Sequence, residues 1–485
     1  MTMLKWSGLA ILLLAVVAAV ASSWCPVEDG TAKDPETETR QGLAQDLTLA
    51  YASTAPVSSM VRTFELTAAP TSVPQFDGRL LDVWAYNEQV PGPVLRVRLG
   101  ESIEMKLHNR LPQPTTIHWH GVRVPNAMDG VPGVTQEPIP SGSSFTYRFT
   151  PKDAGTFWFH PHVRTSEQVE RGLYGVLIVD DANPLPYNRD EVWVLDDWRL
   201  GPDGQIDPRF VTRHDLAHDG RWGQLVTVNG DASQELTVRP GERIRLRLAN
   251  TSNGRVYRPD FSELEARVIA VDGMYTRQPL QADGFELAPG NRLDLDITIP
   301  LDAAGRTFQI VDRFTRRPFL LATLRVEGAA VTTPTFALPS NPKVPIWSEA
   351  ADRSTDVTYV LNARRGGEHG IQWTINGVPW GEHTVTELPH GEWTRVRFQN
   401  DSARLHPMHI HGQFFKVVAQ NGQPVDEPFF WDTVLLHGRE TIDVGMVPLD
   451  WGRWMMHCHI LEHAESGMMT EIDVHEPEEG SPDDQ

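Results

Sequence analysis

Residues 457–469 read HCHILEHAESGMM, and they hold one of only two cysteines in a chain of 485 residues. His463 follows Cys458 by five positions and Met468 follows it by ten. Side chains alternate across an extended strand, so Cys458 is turned away from His457 and His459 and serves a different centre from theirs. A thiolate, a weak thioether and two imidazoles are the donor set of a blue-copper site. Cys458, His463 and Met468 supply three of these donors, and Met468 has the spacing for the role rather than its neighbour Met469. The second imidazole is assigned to His406, in HPMHIHG (406–412), because His409 and His411 already form a pair. A zinc site needs only a closed tetrahedron and would leave the adjacent histidines unexplained.

Four His-x-His pairs occur, at 118–120, 160–162, 409–411 and 457–459, where random placement of the 18 histidines would give roughly 0.7. On a strand the members of a pair share one face, roughly 7 Å apart. Each pair thus offers two neutral imidazoles, donors that suit copper, zinc or iron. His118, His120, His160, His162, His409, His411, His457 and His459 together predict a metal cluster. Two pairs lie early in the chain and two late, so those regions must meet. Cys458 is joined through the backbone to both His457 and His459. It would carry single electrons from its own copper to a cluster able to reduce O₂ to water. His214 and His218 form no such pair and are read as surface or loop residues.

The elements that must position these groups are strands. LGESIEMKLHN (99–109), PGERIRLRLAN (240–250) and HGEWTRVRFQN (390–400) each place Gly-Glu before an alternating run that ends in Asn. Such a run is a half-buried strand led in by a turn. Offsets of this size predict three related domains in an all-β fold, at 58–182, 189–327 and 346–475. The linkers are DANPLPYN (181–188) and GAAVTTPTFALPSNPKVP (328–345). Residues 1–24 carry Lys5, an apolar run and a small-x-small site at Ala19-Val20-Ala21, an export signal or N-terminal anchor. Residues 25–57 are polar and expected to be irregular, and the acidic tail at 476–485 is expected to be disordered. Cys25, the only possible disulfide partner of Cys458, lies in the leading segment. An exported chain therefore keeps Cys458 as a free thiol, best preserved by a metal. The net charge of −21 argues against nucleic acid or an anionic membrane surface as the main partner.

HWHG, FHPH, HPMHIHG and HCHILEHAESGMM resemble, in order, the four copper segments of the multicopper oxidases, laccase-like bacterial members in particular. The resemblance spans about residues 60–475. It implies three cupredoxin-like, Greek-key β-sandwich domains and four copper ions. The type 1 copper would be held by His406, Cys458, His463 and Met468, and the type 2 copper by His118 and His409. The type 3 pair would be held by His120, His160, His162, His411, His457 and His459. Asp129, in NAMDGVPGVTQEPI (126–139), matches the family's acidic position near the cluster. Relatives also carry an acid directly after the last type 1 histidine. Here that position is Ala464, and the acid, Glu465, stands one step later. Glu462 is read as structural.

The implied reaction is one-electron oxidation of a small donor coupled to four-electron reduction of O₂. Among the 12 methionines there is no rich cluster of the kind that cuprous oxidases carry, which points to phenols or aromatic amines. The alternative is a metallo-oxidase acting on Cu(I), Mn(II) or Fe(II). A copper-sequestering protein without activity is disfavoured because all twelve ligand positions are filled. A nitrite reductase is disfavoured because that family has two such domains and lacks the paired histidines. An exported monomer, periplasmic or extracellular, is expected.

Overall fold

The computed structural model describes residues 35–51, 58–74, 78–232, 234–347 and 353–475. The export signal or anchor, Cys25 and the acidic tail lie outside the described residues.

Each predicted domain is a sandwich of two sheets. In the first, strands Leu80–Tyr86, Val61–Pro74, Ser102–Asn109 and Ser144–Phe149 form one layer. Leu95–Arg98, Gly175–Asp180, Gly155–His160 and His118–His120 form the other. The second domain pairs a six-stranded sheet with a four-stranded one, and the third a six-stranded sheet with a five-stranded one. The repeated motif occupies the same place in all three. Ser102–Asn109, Arg243–Asn250 and Thr394–Asn400 each run parallel to the first long strand of their domain and antiparallel to a later one.

The structure also explains why each copy ends in asparagine. Asn109 accepts from Leu111 N–H and donates to the carbonyls of Gln113 and Ile139. Asn250 accepts from Ser252 N–H and donates to Arg255 and Leu287. Asn400 accepts from Ser402 N–H and donates to Arg404 and His437. All three are buried, and one amide satisfies two backbone groups of the loop that follows and one of a segment 30–37 residues further on. In the first and third domains that loop leads into a histidine-bearing strand.

The expectation of an irregular segment over 25–57 is corrected by α1, Pro35–Tyr51. Leu43, Leu47, Ala50 and Tyr51 fall on one helical stripe and are buried in a core shared with Trp119 and Phe159 of the first domain and Trp393, Phe414 and Phe430 of the third. Arg40 forks onto Asp356 at 2.8 and 3.0 Å. The helix therefore ties the two metal-bearing domains together. Leu47→Ala is expected to cost about 2–5 kcal/mol by leaving a cavity, read as a lower urea midpoint for the whole chain.

Candidate metal centre

The strand Gly452–Cys458 lies between His406–Ile410 and Met469–Val474. After it, helix α4, Leu461–Glu465, turns the chain back so that Met468 N–H donates to His463 O at 3.0 Å. Cys458 N–H donates to Met468 O at 3.1 Å. (Between α1 and α4 lie two short helices, α2 at Thr165–Glu170 and α3 at Arg213–Ala217.) Met468 is buried in one cluster with Cys458, while Met469 lies across from His457 and is only half-buried. The two methionines thus differ in burial.

Cys458 Sγ is 3.6 Å from His406 Nδ1 and 3.9 Å from His463 Nδ1, and the two nitrogens are 3.3 Å apart. A point inside that triangle is roughly 2 Å from each donor, the length of a metal–imidazole or metal–thiolate bond. The far nitrogens are engaged: His406 Nε2 with Ser402 Oγ at 2.9 Å, and His463 Nε2 with the His218 carbonyl at 2.8 Å. Those bonds place the ring hydrogens on Nε2 and leave both Nδ1 lone pairs free. Trp373 packs on both rings, with centroids at 4.7 and 4.4 Å.

The eight paired histidines converge as predicted. Their ligating atoms fall into groups of three within 4.8 Å of one another, and two of these groups, His120–His160–His459 and His162–His411–His457, share no member. His118 and His409 remain, with ring centroids 5.7 Å apart. His457 and His459 share a face but serve different triads, and Cys458 joins neither. The outer nitrogens are tied to carbonyls and acids. His118 Nδ1 is 3.0 Å from Asp129 O, His160 Nδ1 3.0 Å from Pro161 O, and His457 Nδ1 2.9 Å from Cys458 O. Facing inward, Nε2 of His118, His160, His162 and His409, Nδ1 of His120 and both nitrogens of His459 are buried without a hydrogen-bond partner. Orphaned buried acceptors on this scale are costly unless a metal takes them. Burial pushes His457 and His463 down to about 3 and His160, His162 and His411 well below the usual imidazole range. The rings are therefore neutral, the form that ligates. These donors fit copper.

Asp129 sits where the resemblance implies. It is fully buried, with Oδ2 2.9 Å from His411 Nδ1 and Oδ1 3.1 Å from His118 Nδ1. Glu465 is exposed and accepts from Ser166 N–H at 3.2 Å. It lines a cavity of about 240 Å³ that reaches His162 and His457. Glu462 is buried and accepts from Ser166, Asn253 and Arg221 N–H at 2.7, 2.7 and 2.9 Å, bridging to the first two domains.

Several residues escaped the sequence reading. Asp432 receives His120 Nε2 at 3.0 Å, and its carbonyl receives His409 Nδ1 at 2.8 Å. Burial opposes its charge, but Arg292 at 2.6 Å and the neighbouring His409 hold its carboxyl at about 2. Its signal was a single acid inside the apolar run FFWDTVLL (429–436). His214 and His218 are exposed, as expected of surface residues, yet the His218 backbone touches a candidate ligand. Gly121, at φ +78°, ends the first histidine strand where a Cβ would come within 2.2 Å of Arg292 and 2.4 Å of Asp432. Gly121→Ala is expected to destabilise the chain and reduce copper loading together, measured as a lower melting temperature and less copper per chain.

Sequence profiles described as multicopper oxidase match residues 69–184, 191–327 and 352–478. A multi-copper oxidase structure from Pseudomonas thermotolerans is 34% identical, with a TM-score of 0.76, over 86% of this chain and all of that one. The chain belongs to the multicopper oxidase family. Multicopper oxidase MmcO of Mycobacterium tuberculosis is 29% identical over 86% of this chain and 88% of its own. A laccase of Cryphonectria parasitica is 28% identical over 87% and 84%. As a multicopper oxidase the protein is an oxidoreductase that uses O₂, with copper as its metal and three cupredoxin-like domains.

Proposed function

We propose that the protein is a laccase-like oxidase with four copper ions, coupling oxidation of phenols or aromatic amines to reduction of O₂ to water. The observation that carries this reading is the set of inward-facing, unpartnered imidazole nitrogens beside the His406–Cys458–His463 triangle. His406, Cys458, His463 and Met468 would hold the type 1 copper, His118 and His409 the type 2, and the two triads the type 3 pair. When bound, the coppers supply one-electron oxidation at the single site and four-electron reduction at the cluster. The chain does the rest. Cys458 is one peptide bond from each of His457 and His459, so the sites are covalently joined. Asp129 fixes the rings of His118 and His411. Glu465 lines the route through which water and protons reach His162 and His457. The leader at residues 1–24 supports export to the periplasm or beyond, where the protein would act as a monomer.

One observation supports a second reading, a metallo-oxidase. His214 and His218 stand exposed with ring centroids 4.2 Å apart, and the His218 carbonyl contacts His463. O₂ uptake by the copper-loaded protein decides between them. Syringol-driven uptake exceeding that with Cu(I) supports the first reading; uptake with Cu(I) alone overturns it in favour of the second.

A further inference from the structure

Two methionine pairs, Met455–Met456 and Met468–Met469, stand on neighbouring segments of the third domain. Each pair is split between two environments. Met456 and Met468 are buried in one cluster with Cys458. Met455 precedes His457 by two residues on the strand Gly452–Cys458, so the two share a face. Met469 lies directly across from His457 in the antiparallel register. The single-metal site uses Met468 and leaves Met455 and Met469 without a role.

Both line the cavity of about 240 Å³ that reaches His162 and His457, two members of one imidazole triad. His162 Nε2 is buried without a hydrogen-bond partner. The exposed Glu465 adds a carboxylate to the lining, while Arg164, also in the lining, is met by Glu167 at 2.9 Å. Trp380 supplies an aromatic wall, held by a stack on His383 with centroids 4.5 Å apart. A route serving only water and protons has no use for thioethers, which are weak hydrogen-bond acceptors. Thioethers do select a soft monovalent cation, Cu(I), and an indole adds cation–π attraction.

We infer that this cavity is the entry site through which the imidazole cluster is filled, taking the metal as Cu(I) on the Met455 and Met469 thioethers and passing it to His162 and His457. Glu465 draws the cation in. The transfer is ligand exchange. Each copper–sulfur bond that breaks is replaced by a bond to a neutral imidazole nitrogen, no electron moves and no proton is released. The inference goes beyond the oxidase reading above and holds for either class of donor.

The test is anaerobic loading of the metal-free full chain with cuprous chloride, followed as copper per chain against time by native mass spectrometry. Met455→Leu combined with Met469→Leu removes both sulfurs and keeps volume and apolarity. The double variant is expected to fill the cluster from Cu(I) about tenfold more slowly. It should load from Cu(II) at the wild-type rate and reach the same final copper number, with the band near ~600 nm kept. Independently, silver(I), a soft monovalent ion, is added to the copper-loaded proteins, and the wild type should hold one silver ion more than the double variant. Methionines that only fill space would leave Cu(I) loading or silver uptake at the wild-type level, and either result overturns the inference. Equal slowing with Cu(I) and Cu(II) overturns it too, since sulfur would not be the cause. A wild type that never reaches four coppers counts against the cluster reading instead, and the silver difference still decides the cavity.

Discussion

Cys458→Ser is expected to abolish the absorption near ~600 nm and to bring oxidation of every donor down to background, while the eight-imidazole cluster still takes up metal. The argument is chemical and local. Cys458 is the only sulfur nucleophile at the triangle and is fully buried, 3.6 and 3.9 Å from two imidazole nitrogens. Burial pushes its thiol far above the usual range, so without metal it is neutral. A serine hydroxyl fills nearly the same volume and can hydrogen-bond to His406 or His463, so the fold should persist with a loss of about 1–3 kcal/mol. It does not form the soft thiolate bond that selects copper. Absorption spectroscopy and O₂ uptake check the first part, and metal analysis per chain checks the second. A variant that kept the band would remove Cys458 from the site.

Asp432→Asn should give the second largest effect, and in the opposite place. Asp432 engages His120 through Nε2, which leaves Nδ1 as that ring's inward-facing nitrogen. It also neutralises Arg292, which is fully buried and donates to Asp432 at 2.6 and 3.1 Å. An asparagine amide in place of the carboxylate leaves the guanidinium with the more distant Asp272, at 3.5 Å, and removes the charge that orients the imidazole. Losing one member of a buried pair costs about 3–5 kcal/mol, and losing the partner of a ligating histidine weakens metal binding about 10–100-fold. The expected result is a protein that keeps its blue band but loads the cluster poorly, with slow O₂ consumption. Copper per chain against free copper concentration measures it. Full cluster occupancy at wild-type affinity would show that Asp432 is only a structural acid.

The ligand set was legible because its signal is periodic and repeated. A spacing of two puts imidazoles on one strand face, and the three Gly-Glu…Asn runs mark three domains. The cysteine's separation from its neighbours followed from the same alternation. What the sequence concealed were groups with no periodicity. Asp432 and Arg292 come from different domains and meet only after folding. Trp373 is one aromatic among 15 tryptophans. Helix α1 was legible in principle, since Leu43, Leu47 and Ala50 share a stripe. Its polar average masked that pattern, and its partners are spread over two domains, from Trp119 in the first to Phe430 in the third. Glu465 shows the limit from the other side. Its offset by one position left its aim open, and only the turn of α4 places it at the cavity reaching His162 and His457.

The most direct test of the central claim is the copper content of the fully loaded protein by native mass spectrometry, recorded for wild type and Cys458→Ser. Four copper ions per chain, the family norm, with one fewer in the variant and no ~600 nm band, is the result expected of a separate cysteine site beside an eight-imidazole cluster. The same copper number in both proteins, or a wild type that takes a single ion, would contradict it.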